Sequence, residues 1–143
     1  MKREITKKDY EPLIHYRSIY DELKNNGEKA LHDIHTLLQE VQKNNKNPLG
    51  PIKIINVTSN EIIFKYLNIH LYVHILINLI KGIGYIEWGL YNEKNDFLKY
   101  ERINTDEFDM SGSINKTLTT IDFAHILIPN ALIKSIKDSA TPL

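Results

Sequence analysis

The chain contains no cysteine. That excludes disulfide staples, thiolate metal sites and a cysteine nucleophile. It suits a reducing compartment, and the expected location is the cytoplasm. An excess of charge of either sign is also lacking: 18 Lys and Arg balance 18 Asp and Glu, with the signs interleaved along the chain. Proteins that grip a phosphate backbone by charge carry a basic excess, so the balance argues against a nucleic-acid partner. It argues equally against an acidic mimic of DNA. Long apolar runs are missing too. The longest, Ile69 to Ile80, is broken by His70, His74 and Asn78, whereas a membrane helix needs about 20 apolar residues. No membrane partner is expected. The N-terminal stretch Met1 to Lys8 is charged, with no apolar segment behind it, and does not read as a signal peptide. There is no Gly-x-Ser-x-Gly elbow, no internal repeat and no low-complexity segment. No cofactor is implied.

What is present fits one domain over residues 1–143. A chain of this length buries roughly 68–70% of the surface that its unfolded form exposes. Two helical patterns come first. Residues 9–25 place Leu13, Tyr16, Ile19, Tyr20 and Leu23 on one stripe, with Asp9 as cap and Pro12 in the first turn. Asn25-Asn26-Gly27 reads as a stop, because Asn and Gly tolerate a left-handed cap. Residues 28–43 carry a second stripe: Ala30, Leu31, Ile34, Leu37, Leu38 and Val41. The short link predicts an antiparallel helical pair over 9–43. Residues 44–51, Asn-Asn-Lys-Asn-Pro-Leu-Gly-Pro, then break helix as a linker.

Beyond the linker the hydrophobic period becomes two. Ile52 to Thr58 and Glu61 to Leu67 read as strands around a Ser59-Asn60 turn. In Ile69 to Leu79 every odd position is apolar, while the even positions are His70, Tyr72, His74, Leu76 and Asn78. That alternation predicts a strand with one buried face. Tyr85 to Tyr91 follows a turn at Lys81-Gly82-Ile83-Gly84. Phe97 to Ile103 follows another at 92–95, and Ser113 to Thr119 reads as a short edge strand. Pro129 suits the first turn of a last helix over 130–137, with Ala131, Leu132, Ile133 and Ile136 inward. The expected fold is α+β: a helical pair, a five- to six-stranded antiparallel meander over 52–119, and a short C-terminal helix packed on the sheet.

The chemical candidates are few. His70 and His74 are four apart, a metal spacing on a helix. On a strand they stand about 13 Å apart at ~3.3 Å per residue, too far to share an ion. His32 and His35 share a helical face but show no third ligand nearby. Gly82-Ile83-Gly84 precedes a strand, whereas a phosphate loop precedes a helix. Asp106, Glu107 and Asp109 lack the alternating ligands and terminal Glu of a calcium loop and read as a solvated turn. No metal site is expected.

With the odd face of 69–79 against the helices, the outer sheet face should show His70, Tyr72 and His74 beside Tyr85, Glu87 and Tyr91. Such a surface is rich in aromatic and hydrogen-bonding groups and poor in charge, as protein-binding patches are. The leading expectation is a non-enzymatic binding module. It would occlude a protein partner as an inhibitor, an immunity-type protein or a phage-type antagonist does. The alternative is a small metal-independent hydrolase or nuclease using His70, Tyr72, His74 and Glu87. A homodimer built on the outer face, with the chain as its own partner, is a third reading.

Overall fold

Thr6 opens the first helix. The Thr6 backbone N–H donates to Asp9 Oδ2 at 2.8 Å and its hydroxyl to the same atom at 3.1 Å, so the Asp9 carboxylate reaches back and satisfies the N-cap residue. The cap is therefore Thr6 rather than Asp9, and Pro12 lies inside the helix instead of in its first turn. The computed structural model describes residues 6–44, 46–94, 97–110 and 120–139. Its elements are α1 (Lys7–Lys43), β1 (Ile52–Val57), β2 (Glu61–Tyr66), β3 (Ile69–Asn78), β4 (Ile83–Lys94), β5 (Phe97–Phe108) and α2 (Thr120–Ser139). The fold is α+β. The sheet is an antiparallel meander in the order β1-β2-β3-β4-β5. The strand expected over 113–119 lies outside the described residues. Among those described, no helix is long and apolar enough to cross a membrane.

The expected helical pair is one helix. α1 runs through Asn25-Asn26-Gly27 without a break, because both residue types serve contacts there rather than a cap. A Cβ on Gly27 would stand 2.8 Å from Ile75 Cγ2 and 3.1 Å from Phe108 Cζ. The bare backbone thus lets the helix lie against the sheet. Asn26 Nδ2 donates to the Met110 carbonyl at 2.8 Å and fastens the chain just beyond β5. A glycine inside a helix costs about 1 kcal/mol relative to alanine. Dense packing at the contact offsets that cost.

The inner face of the sheet carries the main core. Leu71, Val73, Ile86 and Trp88 are fully buried on it, as period-two alternation requires. They meet Leu23, Ile34, Leu38 and Val41 from α1 and Ile128, Ala131 and Leu132 from α2. Trp88 packs edge-on against Phe64, ring centres 6.0 Å apart. Leu49, in the segment read as a linker, also packs against this core.

Two stripes depart from expectation. Leu13, Tyr16 and Tyr20 are exposed, because α1 extends past the sheet before Leu23 reaches it. In α2, Pro129 lies within the helix, and the inward set is Leu127, Ile128, Ala131, Leu132 and Ser135. That phase turns Ile133 and Ile136 outward. Counting from a helix start at Pro129 had put both inward.

Replacing Gly27 tests the close approach. Gly27→Ala gains about 1 kcal/mol of helix propensity but forces a methyl into occupied space, which typically costs about 1–3 kcal/mol. Urea unfolding should therefore show net loss, and Gly27→Leu should lose far more. A clear gain with alanine would mean that the helix stands off the sheet.

Candidate functional site

The outer face of the sheet is built around a bare backbone position. Tyr72 on β3 pairs across from Gly89 on β4, and its ring lies over that glycine. A Cβ at Gly89 would come within 2.6 Å of Tyr72 Oη. The pairing of β4 with β5 also slips between Trp88 and Gly89. A bulge of this kind bends a strand and sharpens its twist. Beyond it, Arg102 pairs with Gly89 and Tyr100 with Tyr91.

Around Tyr72 runs a chain of polar contacts. The Tyr72 hydroxyl donates to Glu87 Oε1 at 2.8 Å. Glu87 Oε2 stands 3.0 Å from His74 Nε2, and His74 Nδ1 stands 3.4 Å from Glu61 Oε2. The Tyr100 hydroxyl donates to Glu61 Oε1 at 3.2 Å. Every carboxylate oxygen of both glutamates thus has a partner, and so do both imidazole nitrogens. Each N–H of a doubly protonated ring would find an acceptor there.

The last bond constrains the shape of the sheet. Glu61 is on β2 and Tyr100 on β5, three strand gaps apart. Their rows also differ: Glu61 lines up through His74 and Glu87 with Thr105, five residues from Tyr100. At about 4.8 Å per gap and ~3.3 Å per residue a flat sheet would separate their backbones by roughly 20 Å, beyond the reach of the two side chains. The face must therefore curl toward its outer side, folding Tyr100 over Tyr72. Their ring centres lie 4.7 Å apart, edge to face. Tyr72 is fully buried in consequence, and with Ile63 and Tyr91 it forms a second small core.

Burial shifts the two phenols. Desolvation raises the Tyr72 hydroxyl far above the ordinary phenol range; the hydrogen bond to Glu87 and the charge of Glu87 raise it further, and Arg102 counteracts them. Tyr100 is raised by burial first, then by the charge of Glu61 and the bond to it. Both hydroxyls are therefore fixed as donors at ordinary pH.

The residues expected on this face are on it. Tyr72, His74 and Glu87 join directly. Tyr91 and His70 adjoin them, with ring centres 5.4 Å apart. Tyr85 has the same strand parity but pairs with Leu76, two places further from Gly89 than Glu87. Sequence reasoning missed Glu61, Tyr100 and Arg102. Glu61 was within reach, since the β2–β3 register sets it against His74. Tyr100 and Arg102 were not, because the slip at Gly89 decides which β5 residues come to this face.

No family model, curated protein or solved structure matches the chain. The site therefore has to be read from its own chemistry. Among the described residues, no group of three His, Cys, Asp or Glu side chains is placed to hold a metal ion. The acidic run proves to be strand rather than turn at Asp106 and Glu107, which lie just before Phe108 at the end of β5. Asp106 accepts from Asn104 Nδ2 at 2.8 Å. Burial raises its carboxyl, and Lys134 and Asn104 pull it back.

His32 and His35 line a cleft of about 300 Å³ with Glu28, Val57 and Thr58, between α1 and the β1–β2 turn. Burial lowers the affinity of His35 for a proton, and nearby His32 lowers it further.

Two measurements follow from these positions. Tyr72→Phe leaves Glu87 Oε1 without its donor and should cost about 1.5–3 kcal/mol, the range for a hydrogen bond to a charged group. A loss below about 0.5 kcal/mol in urea unfolding would remove the network from the stability of the fold. For His35 the folded protein binds a proton less readily than the unfolded chain does. Its contribution is therefore present above the ordinary histidine value of about 6.5 and falls as pH drops through it. His35→Gln should accordingly lose less stability than the parent between pH 7.5 and pH 5.5, taken as roughly one unit on either side of the ordinary histidine value.

Proposed function

We propose that this chain is a non-catalytic protein-binding module that occludes a protein partner, with the rim of the outer sheet face as its contact surface. The observation that supports this reading is the closed chain Tyr72–Glu87–His74–Glu61–Tyr100. General acid–base chemistry needs a group within reach of a substrate proton and free to exchange it. Here the carboxylates and the imidazole are engaged with one another, and Tyr72 and Glu87 lie below the surface. What faces outward is aromatic and hydrogen-bonding: Tyr100, His70, and Arg102, which pairs with Gly89 across from Tyr72, all three exposed.

A pinned aromatic ring is a good anchor, because little side-chain freedom remains to be lost on binding. Tyr100 is pinned at its hydroxyl by Glu61 and at its ring by Tyr72. Tyr, Trp and Arg dominate binding hot spots.

The test is comparative capture from an extract of the native host, using the parent and the triple variant His70→Ala, Tyr100→Ala, Arg102→Glu. Far-ultraviolet circular dichroism would first confirm that both fold. A specific partner should bind the variant at least tenfold more weakly, the loss of one hot spot at about 1.4 kcal/mol. Equal capture by the two proteins would end the reading.

A further inference from the structure

We infer that residues 7–22 of α1 form a dimerisation arm, and that what covers their apolar stripe is the same arm of a second copy, running antiparallel. The stripe does not stop where the sheet stops. Leu13, Tyr16, Tyr20, Leu23, Gly27, Ala30 and Ile34 alternate at three- and four-residue steps, one seam along one helix. From Leu23 onward the sheet and α2 cover it, and Leu23 and Ile34 are fully buried. Before Leu23 it is bare: Leu13 is 58% exposed and Tyr20 42%. Tyr10 and Ile14, also exposed, widen it. A seam with a 3.5-residue period is what a packing helix reads.

The arm is about 24 Å long at 1.5 Å per residue. A helix of this length is marginal in water without packing, and nothing among the described residues packs along it before Ile19.

The chemistry of the arm favours a copy of itself over other occupants. Within residues 7–22 three cations, Lys7, Lys8 and Arg17, stand against four anions, Asp9, Glu11, Asp21 and Glu22, a net charge of −1. An arm without a basic excess offers no charge attraction to nucleic acid or to an anionic membrane, and two copies meet with little net repulsion. Antiparallel overlap of 7–22 on 22–7 sets Leu13 against Tyr16 and Tyr10 against Ile19, and sets Lys7 against Glu22 and Lys8 against Asp21 twice over, with Asp21 one residue from the partner's Lys7. Parallel overlap would set Lys7 beside Lys7 and Asp21 beside Asp21. The five side chains, 38–58% exposed, offer roughly 400 Å² of apolar surface per arm. Two arms then reach roughly 800 Å², the size of a weak, reversible contact.

The sheet edges, the other route to self-association, carry the usual defences. Pro51 precedes β1, which has an irregular register between Ile54 and Asn56. β5 bears Lys99, Glu101, Arg102, Asp106 and Glu107. The arm has no such device in its seam between Leu13 and Leu23.

The absence of cysteine makes the orientation measurable. Sedimentation velocity of the full chain across a concentration series should show reversible dimerisation, and Leu13→Asp with Tyr20→Asp should weaken it at least tenfold. Lys7→Cys and Asp21→Cys proteins, treated with a flexible bis-maleimide, should crosslink when mixed and not when alone. A monomer at every concentration overturns the inference. So does crosslinking of Lys7→Cys to itself as strongly as in the mixture, which would mean parallel arms. Binding of the monomeric chain to phosphatidylcholine or phosphatidylserine vesicles, abolished by Leu13→Asp, would assign the stripe to a membrane surface and overturn it too.

Discussion

The contact between the backbone of Gly27 and the side chains of Ile75 and Phe108 sets the plan of the molecule. Helix–sheet packing of this closeness needs a residue with no Cβ at the crossing. Once Gly27 is there, the helix passes over the sheet at that point and has no reason to turn back. Its later half covers the inner face, and Leu23 to Val41 become core. Its earlier half has no sheet beneath it. A hairpin of two helices would have laid both stripes on the sheet. A single helix can lay down only one.

This explains which features were legible in the residues. Period-two alternation at 69–79 and 85–91 placed β3, β4 and their buried faces, because a strand buried on one face writes that burial directly into its sequence. The stripes of α1 were legible for the same reason. The connection between them was not. Asn25-Asn26-Gly27 has the composition of a stop, and only the tertiary partners, Ile75, Phe108 and the Met110 carbonyl, show that it is a contact. Pro129 misled in a similar way: a proline marks a permissible helix start, but packing of Ile128 and Leu132 fixed the phase of α2 and put Ile133 and Ile136 outside. Local signals state what the backbone tolerates, and tertiary contacts choose among the tolerated forms.

The outer face shows the same division. Alternation put His70, Tyr72, His74, Glu87 and Tyr91 on one side of the sheet. It could not show that they would form a second core. That outcome rests on Gly89, which lets the Tyr72 ring lie down, and on the register slip beside it, which carries Tyr100 over the top. Polar groups that would be exposed on a flat sheet become half-buried on a curled one, and half-buried polar groups must find partners. The closed chain of contacts follows from the curl. A floor locked in this way leaves a rigid aromatic rim on the surface.

One inconsistency remains between local pattern and observed burial. Sequences are usually consistent across levels, and the places where a strong local signal fails tend to be places with another duty. At Asn25-Asn26-Gly27 the failed signal has a visible cause in the packing. At Leu13, Tyr16 and Tyr20 a burial signal as regular as that of Ala30 and Ile34 meets no cover from the described residues. The seam has one period from Leu13 to Ile34 and continuous helix beneath it, so a partner for its first half must match the register that the sheet and α2 accept in its second. A helix with the same spacing does so, and each copy of the chain carries one. Pairing there would leave both curled sheet faces open, so that a single particle would carry the proposed contact surface twice, with avidity gained through linkage rather than through new contacts.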